Sequence, residues 1–297
     1  MSVFDFLREA MTSVIKSPAP KGAPAHIDNE QPYSYLSSFH THFLTYEIAY
    51  QQYQNPIFRP HMEDAVQVIE DFSPQFPLFI AVFDGHGGAF AMEYCVRYLS
   101  KELQQALFET GKPEDAFPLA FERVDKGLMQ RQANRVGTTA TVCLISTQGV
   151  VYTANVGDSS AYLISLTESI ALTANHRCDD TAERERLLYP SHSASHVQII
   201  KDRVNGRLML TRALGDHDLK SSGVLCTPFV SSRYFPNTFA LVVASDGVWD
   251  YVQAQEITVG SNPKETARLM MEQVKAALSR DNISLAVVNW KSPLPTC

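Results

Sequence analysis

Residues 78–88 have the sequence LFIAVFDGHGG, and this stretch decides the fold. Its first six residues are apolar and rich in β-formers, so they predict a strand buried on both faces. The run ends at Asp84, and the glycines around His86 allow a sharp turn and a close approach of the backbone to a ligand. Taken alone, the stretch fits either an acidic turn between a strand and a helix or a ligand-binding strand end.

Further strand-like runs occur in groups along the chain. Residues 43–70 predict a pair of antiparallel strands, and residues 137–165 predict a meander of hairpins. Two long helices are expected between these groups, one over 89–110 and one over 114–133. Because the strands are grouped instead of alternating with helices, the predicted fold class is α+β, with antiparallel sheets covered by helices. The other predicted elements are helices at 181–188 and 263–279 and strands within 240–250 and at 283–290.

The composition excludes several functional classes. The 297 residues carry a net charge of −7, which argues against a nucleic-acid-binding protein, because such proteins need a basic patch. No apolar run reaches transmembrane length and no secretory signal follows Met1, so we expect a cytoplasmic or nuclear location, or both. The five cysteines have neither CxxC nor zinc-finger spacing, which indicates reduced thiols instead of disulfides or a zinc site.

Residues 1–42 are predicted to form an extension outside the main domain, which spans 43–291 and is followed by a tail at 292–297. Apolar residues at helical spacing predict an amphipathic helix at 3–16, and a Pro-rich linker follows it. The polar face of this helix is not basic enough for an anionic membrane surface. We therefore expect the extension to dock on its own domain or on a partner.

Acidic residues stand where several of the predicted strands end. Carboxylates brought to one point repel one another unless a cation neutralises them, so their convergence predicts a metal centre. Carboxylate and carbonyl oxygens, without His or Cys ligands, favour Mg²⁺ or Mn²⁺ over Zn²⁺. The set is large enough for two ions about 3.5–4 Å apart, which generate a hydroxide nucleophile and clamp a phosphate for in-line attack. These residues are Glu63, Asp64, Asp84, Asp246, Asp250, Asp281 and, at a hairpin tip, Asp158.

Two further side chains complete a site for phosphate-ester cleavage. Arg59 precedes Glu63 by four residues, and on a strand this even spacing would place both side chains on one face. A guanidinium in that position is suited to bind a phosphate. His86 lies two residues after Asp84, where an imidazole could protonate a leaving alkoxide. The alternative for His86 is a purely structural histidine.

Eight short motifs occur in the order typical of one family. They are RxxMED (59–64), DGHGG (84–88), GTTA (137–140), ANVGDS (154–159), RVNGRL (203–208), RALGD (212–216), ASDGVWD (244–250) and DN (281–282). Over residues 43–291 the chain thus resembles the metal-dependent serine/threonine phosphatases, the PPM or PP2C-like family. The resemblance implies two packed antiparallel β-sheets flanked by α-helices on both sides. It also implies hydrolysis of phosphoserine and phosphothreonine monoesters on proteins.

The same resemblance implies roles for the acids. Two Mg²⁺ or Mn²⁺ ions would be bridged by Asp84, and a hydroxide held between them would attack phosphorus in line. Glu63 and the Gly85 carbonyl would complete one metal site, and Asp246 with Asp281 would complete the other.

The remaining site residues receive supporting roles from the resemblance. Asp64 would hold metal-bound water, Arg59 would bind the substrate phosphate and His86 would be the general acid. Asp158 and Asp250, together with Asp246, resemble a weaker third-metal position.

Residues 178–202 fall where the family has a variable flap beside the active site. Three positions depart from the family pattern without removing a proposed ligand, and they bear on substrate preference and flap behaviour. They are Ser160 in place of the usual Arg, Asn175 in place of Asp and Thr211 in place of Ser.

Two other functional classes fit parts of the sequence. Cys178 and Arg184 have the C-x₅-R spacing of cysteine-dependent phosphatases, but the acidic residues between them oppose both a phosphate cradle and a depressed thiol pKa. The second rival is a catalytically weak or inactive PP2C-like scaffold that binds a signalling partner. Because all four expected acidic metal ligands are present, the active enzyme is favoured, acting as a monomer on phosphorylated proteins.

Overall fold

The computed structural model describes residues 33–40, 45–189, 197–236 and 238–291. The predicted helix at 3–16, its linker and the tail at 292–297 lie outside these residues. The strands are Tyr33–His40 (β1), Thr45–Tyr53 (β2), Asp64–Glu70 (β3), Leu78–His86 (β4), Gly137–Thr138 (β5), Ala140–Ile145 (β6), Val150–Val156 (β7), Ser160–Ile164 (β8), Ser169–Ala171 (β9), Leu214–Gly215 (β10), Phe229–Tyr234 (β11), Ala240–Ala244 (β12) and Ile283–Lys291 (β13). The helices are Phe90–Thr110 (α1), Pro113–Gln130 (α2), Thr181–Leu188 (α3), His217–Lys220 (α4), Asp246–Trp249 (α5) and Pro263–Ala276 (α6).

The strands form two sheets, and every ladder between the named strands is antiparallel. The first sheet has the strand order β1-β2-β13-β12-β8-β9. The second has the order β10-β5-β4-β6-β7-β11, and β3 also pairs with β4. One apolar core is shared by the two sheets and includes Val82 of the second sheet and Val243 and Val288 of the first.

Strand β4 is buried on both faces, as its sequence predicts. Phe79, Ala81 and Phe83 pack into the core that lies under α1 and α2. The alternate residues Ile80 and Val82 pack into the core between the sheets. All five side chains are fully buried, and each large one contributes roughly 1.5–3 kcal/mol through removal of apolar surface from water. This double burial fixes the register of β4 and therefore the position of Asp84 at its end.

Helices cover the outer faces of both sheets. α1 and α2 pack on the second sheet, and α6 packs on the first, with Met270 and Val274 in its core. α1 ends at Gly111, which has a φ of 71°, a left-handed conformation that favours glycine. α6 begins after Asn262, whose side chain accepts a hydrogen bond from the Glu265 amide. The predicted α+β sandwich, with helices on both sides, is confirmed. No helix in the described ranges combines the length and the apolarity that crossing a bilayer requires.

Two predicted hairpins are wrong because the chain changes sheets between their strands. β2 pairs with β13 in the first sheet, whereas β3 pairs with β4 in the second, so residues 43–70 are not one antiparallel pair. Likewise β7 pairs with β6, whereas β8 pairs with β12. The second change of sheet occurs at Gly157, which has a φ of 91° and where an added Cβ would lie 2.6 Å from the Thr139 side chain. Glycine is required there because no larger residue fits.

Candidate metal centre

The two sheets bring acidic strand ends together at one end of the sandwich. In the second sheet, Asp64 is directly opposite Asp84 in the β3–β4 register. In the first sheet, Ser245 and Asp246 follow β12, and Asp281 precedes β13. The hydroxyl of Ser245 donates a hydrogen bond of 2.8 Å to the buried Asp64 carboxylate, which ties the two groups together. The predicted convergence of these acids therefore has a structural basis in strand pairing and sheet packing.

Three carboxylates form the tightest group. One oxygen each from Asp84, Asp158 and Asp246 lie within 4.8 Å of one another. Burial, followed by repulsion from Asp64, Asp246 and Asp158, raises the pKa of Asp84 well above its ordinary value. Burial and repulsion from Asp158 likewise raise the pKa of Asp246 to about 7. Partly buried carboxylates at this spacing repel one another and are costly without a cation, so the donor set fits a divalent ion that prefers hard oxygen ligands.

Among the described residues, the other predicted metal ligands lie outside this set of three mutually close carboxylates. The Glu63 carbonyl accepts a hydrogen bond of 3.0 Å from the Gly85 amide, so the backbones of these two predicted ligands are adjacent. A Cβ at Gly85 would lie only 2.6 Å from that carbonyl oxygen. The end of β4 can approach the Glu63 backbone only because residue 85 is glycine.

Asn282 holds the segment that carries Glu63, and sequence reasoning assigned it no role. Its Oδ1 accepts a hydrogen bond of 2.8 Å from the Glu63 amide. Its Nδ2 donates to the carbonyls of Gln54 and His61 at 2.7 and 3.1 Å. One side chain next to Asp281 therefore fixes both ends of the loop between β2 and β3. The DN motif at 281–282 was the available signal.

Arg59 lies in this loop and not on a strand, so the predicted strand spacing that aligned it with Glu63 is wrong. A turn places it, because the Asn55 carbonyl accepts hydrogen bonds of 3.0 Å from the amides of Phe58 and Arg59. The Arg59 guanidinium forms an ion pair with Asp281, and 43% of the Arg59 side chain is exposed. The proposed phosphate-binding cation and a proposed metal ligand are thus in direct contact.

His86 is paired with Asp216, a contact that the sequence did not reveal. The His86 Nε2 lies 2.7 Å from the Asp216 Oδ2, and the Asp216 side chain is 5% exposed. Asp216 has a φ of 51°, a left-handed conformation that Asp tolerates better than most residues. A Cβ at Gly137 would lie 2.6 Å from the His86 Nε2, so glycine leaves room for the pair. The signal was the RALGD motif, which ends at Asp216.

Arg177 was also missed, and it contacts the acids predicted for a third metal. Its guanidinium pairs with Asp158, Asp246 and Asp250 at distances of 2.5, 3.0 and 2.8 Å. The departure at Ser160 lies at the start of β8, and its hydroxyl donates weakly to the Asp158 carbonyl at 3.4 Å.

The described parts of the flap, 178–189 and 197–202, adjoin a small apolar core of their own. Cys178 and Leu187 are buried in it together with Val204 and Leu210. The departure at Thr211 keeps a hydroxyl, which donates a hydrogen bond of 2.6 Å to the Glu183 carboxylate of α3. The departure at Asn175 is exposed.

The cysteine-dependent phosphatase hypothesis fails on geometry. Burial raises the pKa of the Cys178 thiol above its ordinary value, which opposes formation of a thiolate nucleophile. Arg184 donates to the Cys178 carbonyl at 3.3 Å and pairs with Asp202 at 3.2 Å, so its guanidinium is directed at the flap backbone. The C-x₅-R spacing reflects the start of a helix and not a phosphate cradle.

The buried acids predict a pH-dependent stability of the metal-free protein. Burial raises the pKa of Asp64 to about 8, so the folded state binds a proton that the unfolded state releases near its ordinary pKa. At pH 6.5 the proton bound by Asp64 stabilises the folded state. This stabilisation is lost as the pH rises through 8 and the Asp64 carboxyl ionises. In EDTA we therefore expect the free energy of unfolding to fall by on the order of 2 kcal/mol between pH 6.5 and 8.5.

Urea titrations at the two pH values, with and without Mn²⁺, measure this loss. Asp64→Asn is the matched control, because an asparagine oxygen can still accept the Ser245 hydrogen bond while carrying no charge. The pH-dependent loss should be smaller in Asp64→Asn than in the wild-type protein, and Mn²⁺ should reduce it in the wild type. An identical loss in both proteins would contradict the assignment to Asp64.

Comparisons with known proteins identify the family of the chain. The sequence model of the family described as "Protein phosphatase 2C" matches residues 49–283. Protein phosphatase 2C homolog 1 of Saccharomyces cerevisiae is 30% identical over 269 residues, which cover 82% of this chain and 94% of the yeast protein. "Protein phosphatase 1K, mitochondrial" of Xenopus laevis is 34% identical over 225 residues, which cover 71% of this chain and 60% of the frog protein.

A solved structure shows the same fold. The crystal structure of serine-threonine phosphatase 2C from Toxoplasma gondii superposes with a TM-score of 0.70 at 19% sequence identity, and the match covers 88% of this chain and all of that one. At this identity the superposition supports the architecture alone.

Proposed function

The chain belongs to the protein phosphatase 2C family, and we propose that it hydrolyses phosphoserine and phosphothreonine monoesters on proteins with two Mg²⁺ or Mn²⁺ ions. The observation that carries the proposal is the mutual proximity of the Asp84, Asp158 and Asp246 carboxylates at one end of the sandwich. Their hard oxygen atoms suit these ions, and partial burial makes their mutual repulsion costly without a cation.

We assign the two ions to ligands on both sheets. Asp84 would contribute to both ion sites, because it lies near the end of the central strand with a carboxylate oxygen within 4.8 Å of oxygens of Asp158 and Asp246. Glu63 and the Gly85 carbonyl would hold one ion from the second sheet, and Asp246 and Asp281 would hold the other from the first. When bound, the ions supply activation of the attacking water and neutralise charge on the phosphoryl oxygens. Asp64, fixed by Ser245, orients water beside them.

Arg59 binds the substrate phosphate in this proposal. Its planar guanidinium can donate two parallel hydrogen bonds to phosphate oxygens. It now contacts Oδ2 of Asp281, while Oδ1 of Asp281 accepts a hydrogen bond of 2.7 Å from the Asn282 amide. Arg59 is partly exposed and lies in a loop, so its head can turn from Asp281 to a bound phosphate without movement of either sheet.

His86 gives a proton to the leaving alkoxide. Asp216 is a carboxylate acceptor, so the hydrogen on the His86 Nε2 points toward it, and Nδ1 is the nitrogen that releases the proton. The buried Asp216 holds the ring in one orientation, as a positioning residue should. This arrangement contributes most when the leaving group is a poor one, such as the alkoxide of serine or threonine.

Phosphate release from a phosphoserine peptide tests the proposal. The reaction is run with Mn²⁺, with EDTA, and with EDTA followed by excess Mn²⁺. We expect phosphate release to require Mn²⁺ and to return when Mn²⁺ is restored. Equal release in EDTA and Mn²⁺ would contradict the metal-dependent mechanism, and no release under any condition would favour the alternative, an inactive scaffold that binds a signalling partner.

The broader setting of the function is also proposed. We infer that the protein acts as a monomer on phosphorylated proteins in the cytoplasm, the nucleus or both, and does not bind nucleic acid. Its net charge of −7 supports the last point, because nucleic-acid binding relies on a basic surface. Within the predicted extension at 1–42, residues 33–40 form β1 and pair with β2, so the part proposed to dock on the catalytic domain or on a partner is 1–32.

A further inference from the structure

The Arg177 guanidinium forms ion pairs with three carboxylates of the candidate metal centre, those of Asp158, Asp246 and Asp250. Its Nε donates to the Asp158 Oδ2 at 2.5 Å, and its Nη2 donates to the Asp246 Oδ2 at 3.0 Å. Nη1 and Nη2 together engage both oxygens of Asp250 at 2.8 and 2.9 Å, a bidentate pair. Its side chain is 13% exposed, so these charge-assisted bonds are largely shielded from water.

These contacts use the same carboxylate oxygens that a third ion would need. A carboxylate oxygen turned toward a guanidinium hydrogen is not free to coordinate a small cation at about 2.0–2.6 Å. Asp158 is the key partner, because its side chain is 8% exposed and its strongest attractive contact is with Arg177. A metal ion at Asp158 and Asp250 must therefore displace the guanidinium.

The backbone of Arg177 is fixed at the base of the flap. The Thr211 amide donates to the His176 carbonyl at 2.8 Å, and the Cys178 amide donates to the Met209 carbonyl at 2.9 Å. Cys178, the next residue, is buried in the small core beneath α3. Arg177 thus joins the flap to the acidic side chains. Displacement of its guanidinium would break its ion pairs with Asp158 and Asp250.

We propose that Arg177 is a built-in cation that occupies the third-ion position, so that the chain binds two divalent ions tightly and excludes a third. A fixed positive charge beside Asp246 leaves the remaining oxygens of Asp84 and Asp246 to the two-ion site. Arg177, at the base of the flap, then carries the charge that a diffusible ion would otherwise supply. This inference rests on the proposed metal-dependent function.

The test counts Mn²⁺ bound by the full chain, using calorimetry together with electron paramagnetic resonance of free Mn²⁺. Arg177→Met removes the charge while keeping the length of the side chain. Arg268→Met is the matched control, because Arg268 is 53% exposed and pairs with Glu272 on α6. We expect Arg177→Met to bind one more ion than wild type, at least about tenfold tighter than any third ion in wild type. The double variant Arg177→Met/Asp250→Asn should lose that ion.

Two outcomes separate the inference from the function on which it rests. Two ions in wild type and the same two, with unchanged affinities, in Arg177→Met would overturn the role of Arg177 and leave the two-ion centre intact. No tight ion in wild type would overturn both. If Arg177→Met fails to fold, Arg177→Lys takes its place, because an ammonium cannot reproduce the three-way fork. The lysine variant should then bind the third ion more tightly than wild type, and an unchanged count would overturn the proposal.

Discussion

Asp84→Asn is expected to lower kcat on a phosphoserine peptide by on the order of a thousand-fold, since the substitution removes several kcal/mol of charge stabilisation at the two-ion site. The asparagine keeps the shape of the side chain and loses the charge that would join the ions. The backbone of Asp84 would be unaffected, because its amide contacts the Thr139 hydroxyl and its carbonyl accepts from the Thr139 amide. Phosphate release at saturating Mn²⁺ measures the loss.

The same variant should fold at least as well as wild type in EDTA. The Asp84 carboxylate is partly buried and repelled by Asp64, Asp246 and Asp158, so removing its charge relieves repulsion in the metal-free state. Asp71→Asn is the matched control: Asp71 is exposed and has a φ of 53°, which asparagine adopts readily. Near-normal kcat in Asp84→Asn, or an equal loss in Asp71→Asn, would contradict the bridging role.

His86→Ala is expected to lower kcat for alkyl phosphates by about 100- to 10,000-fold, the range of a lost general acid. An aryl phosphate has a good leaving group and needs little proton donation, so its kcat should fall far less. Paired assays with a phosphoserine peptide and p-nitrophenyl phosphate give the two ratios. An equal loss on both substrates would count against proton donation by His86.

Two further variants separate chemistry from structure in this comparison. Asp216→Asn leaves His86 in place but removes its charged partner, so we expect the same preference for aryl phosphates with a smaller loss, roughly 10- to 100-fold on the peptide. His61→Ala makes the same change of residue type at an exposed side chain and should leave the ratio of the two activities unchanged.

The central strand and its acidic end were predictable because their signals are local. Burial on both faces leaves a continuous apolar run in β4, and the glycine after Asp84 marks a close backbone approach, here to Glu63. The helix that ends at Gly111 was likewise predictable, because its apolar residues recur at helical spacing and a glycine that adopts a left-handed conformation follows it.

The partners of these elements were not predictable, because they are set by tertiary packing. Strand-forming residues on either side of Gly157 look like one hairpin, yet they pair in different sheets. The pairing of His86 with Asp216 spans 130 residues, and the contacts of Arg177 with Asp246 and Asp250 span 69 and 73. The local spacing of apolar and polar residues does not indicate which residues meet across such long separations in the sequence. The loop that carries Arg59 is placed by Asn282, which lies beyond any local pattern.

Anomalous diffraction from Mn²⁺-loaded crystals is the most direct test of the claim that Asp84 joins two cations. We expect two strong peaks about 3.5–4 Å apart, each within coordinating distance of the Asp84 carboxylate. We also expect no third peak between Asp158 and Asp250, where the Arg177 guanidinium lies. A single peak, or two peaks that do not share Asp84, would contradict that claim.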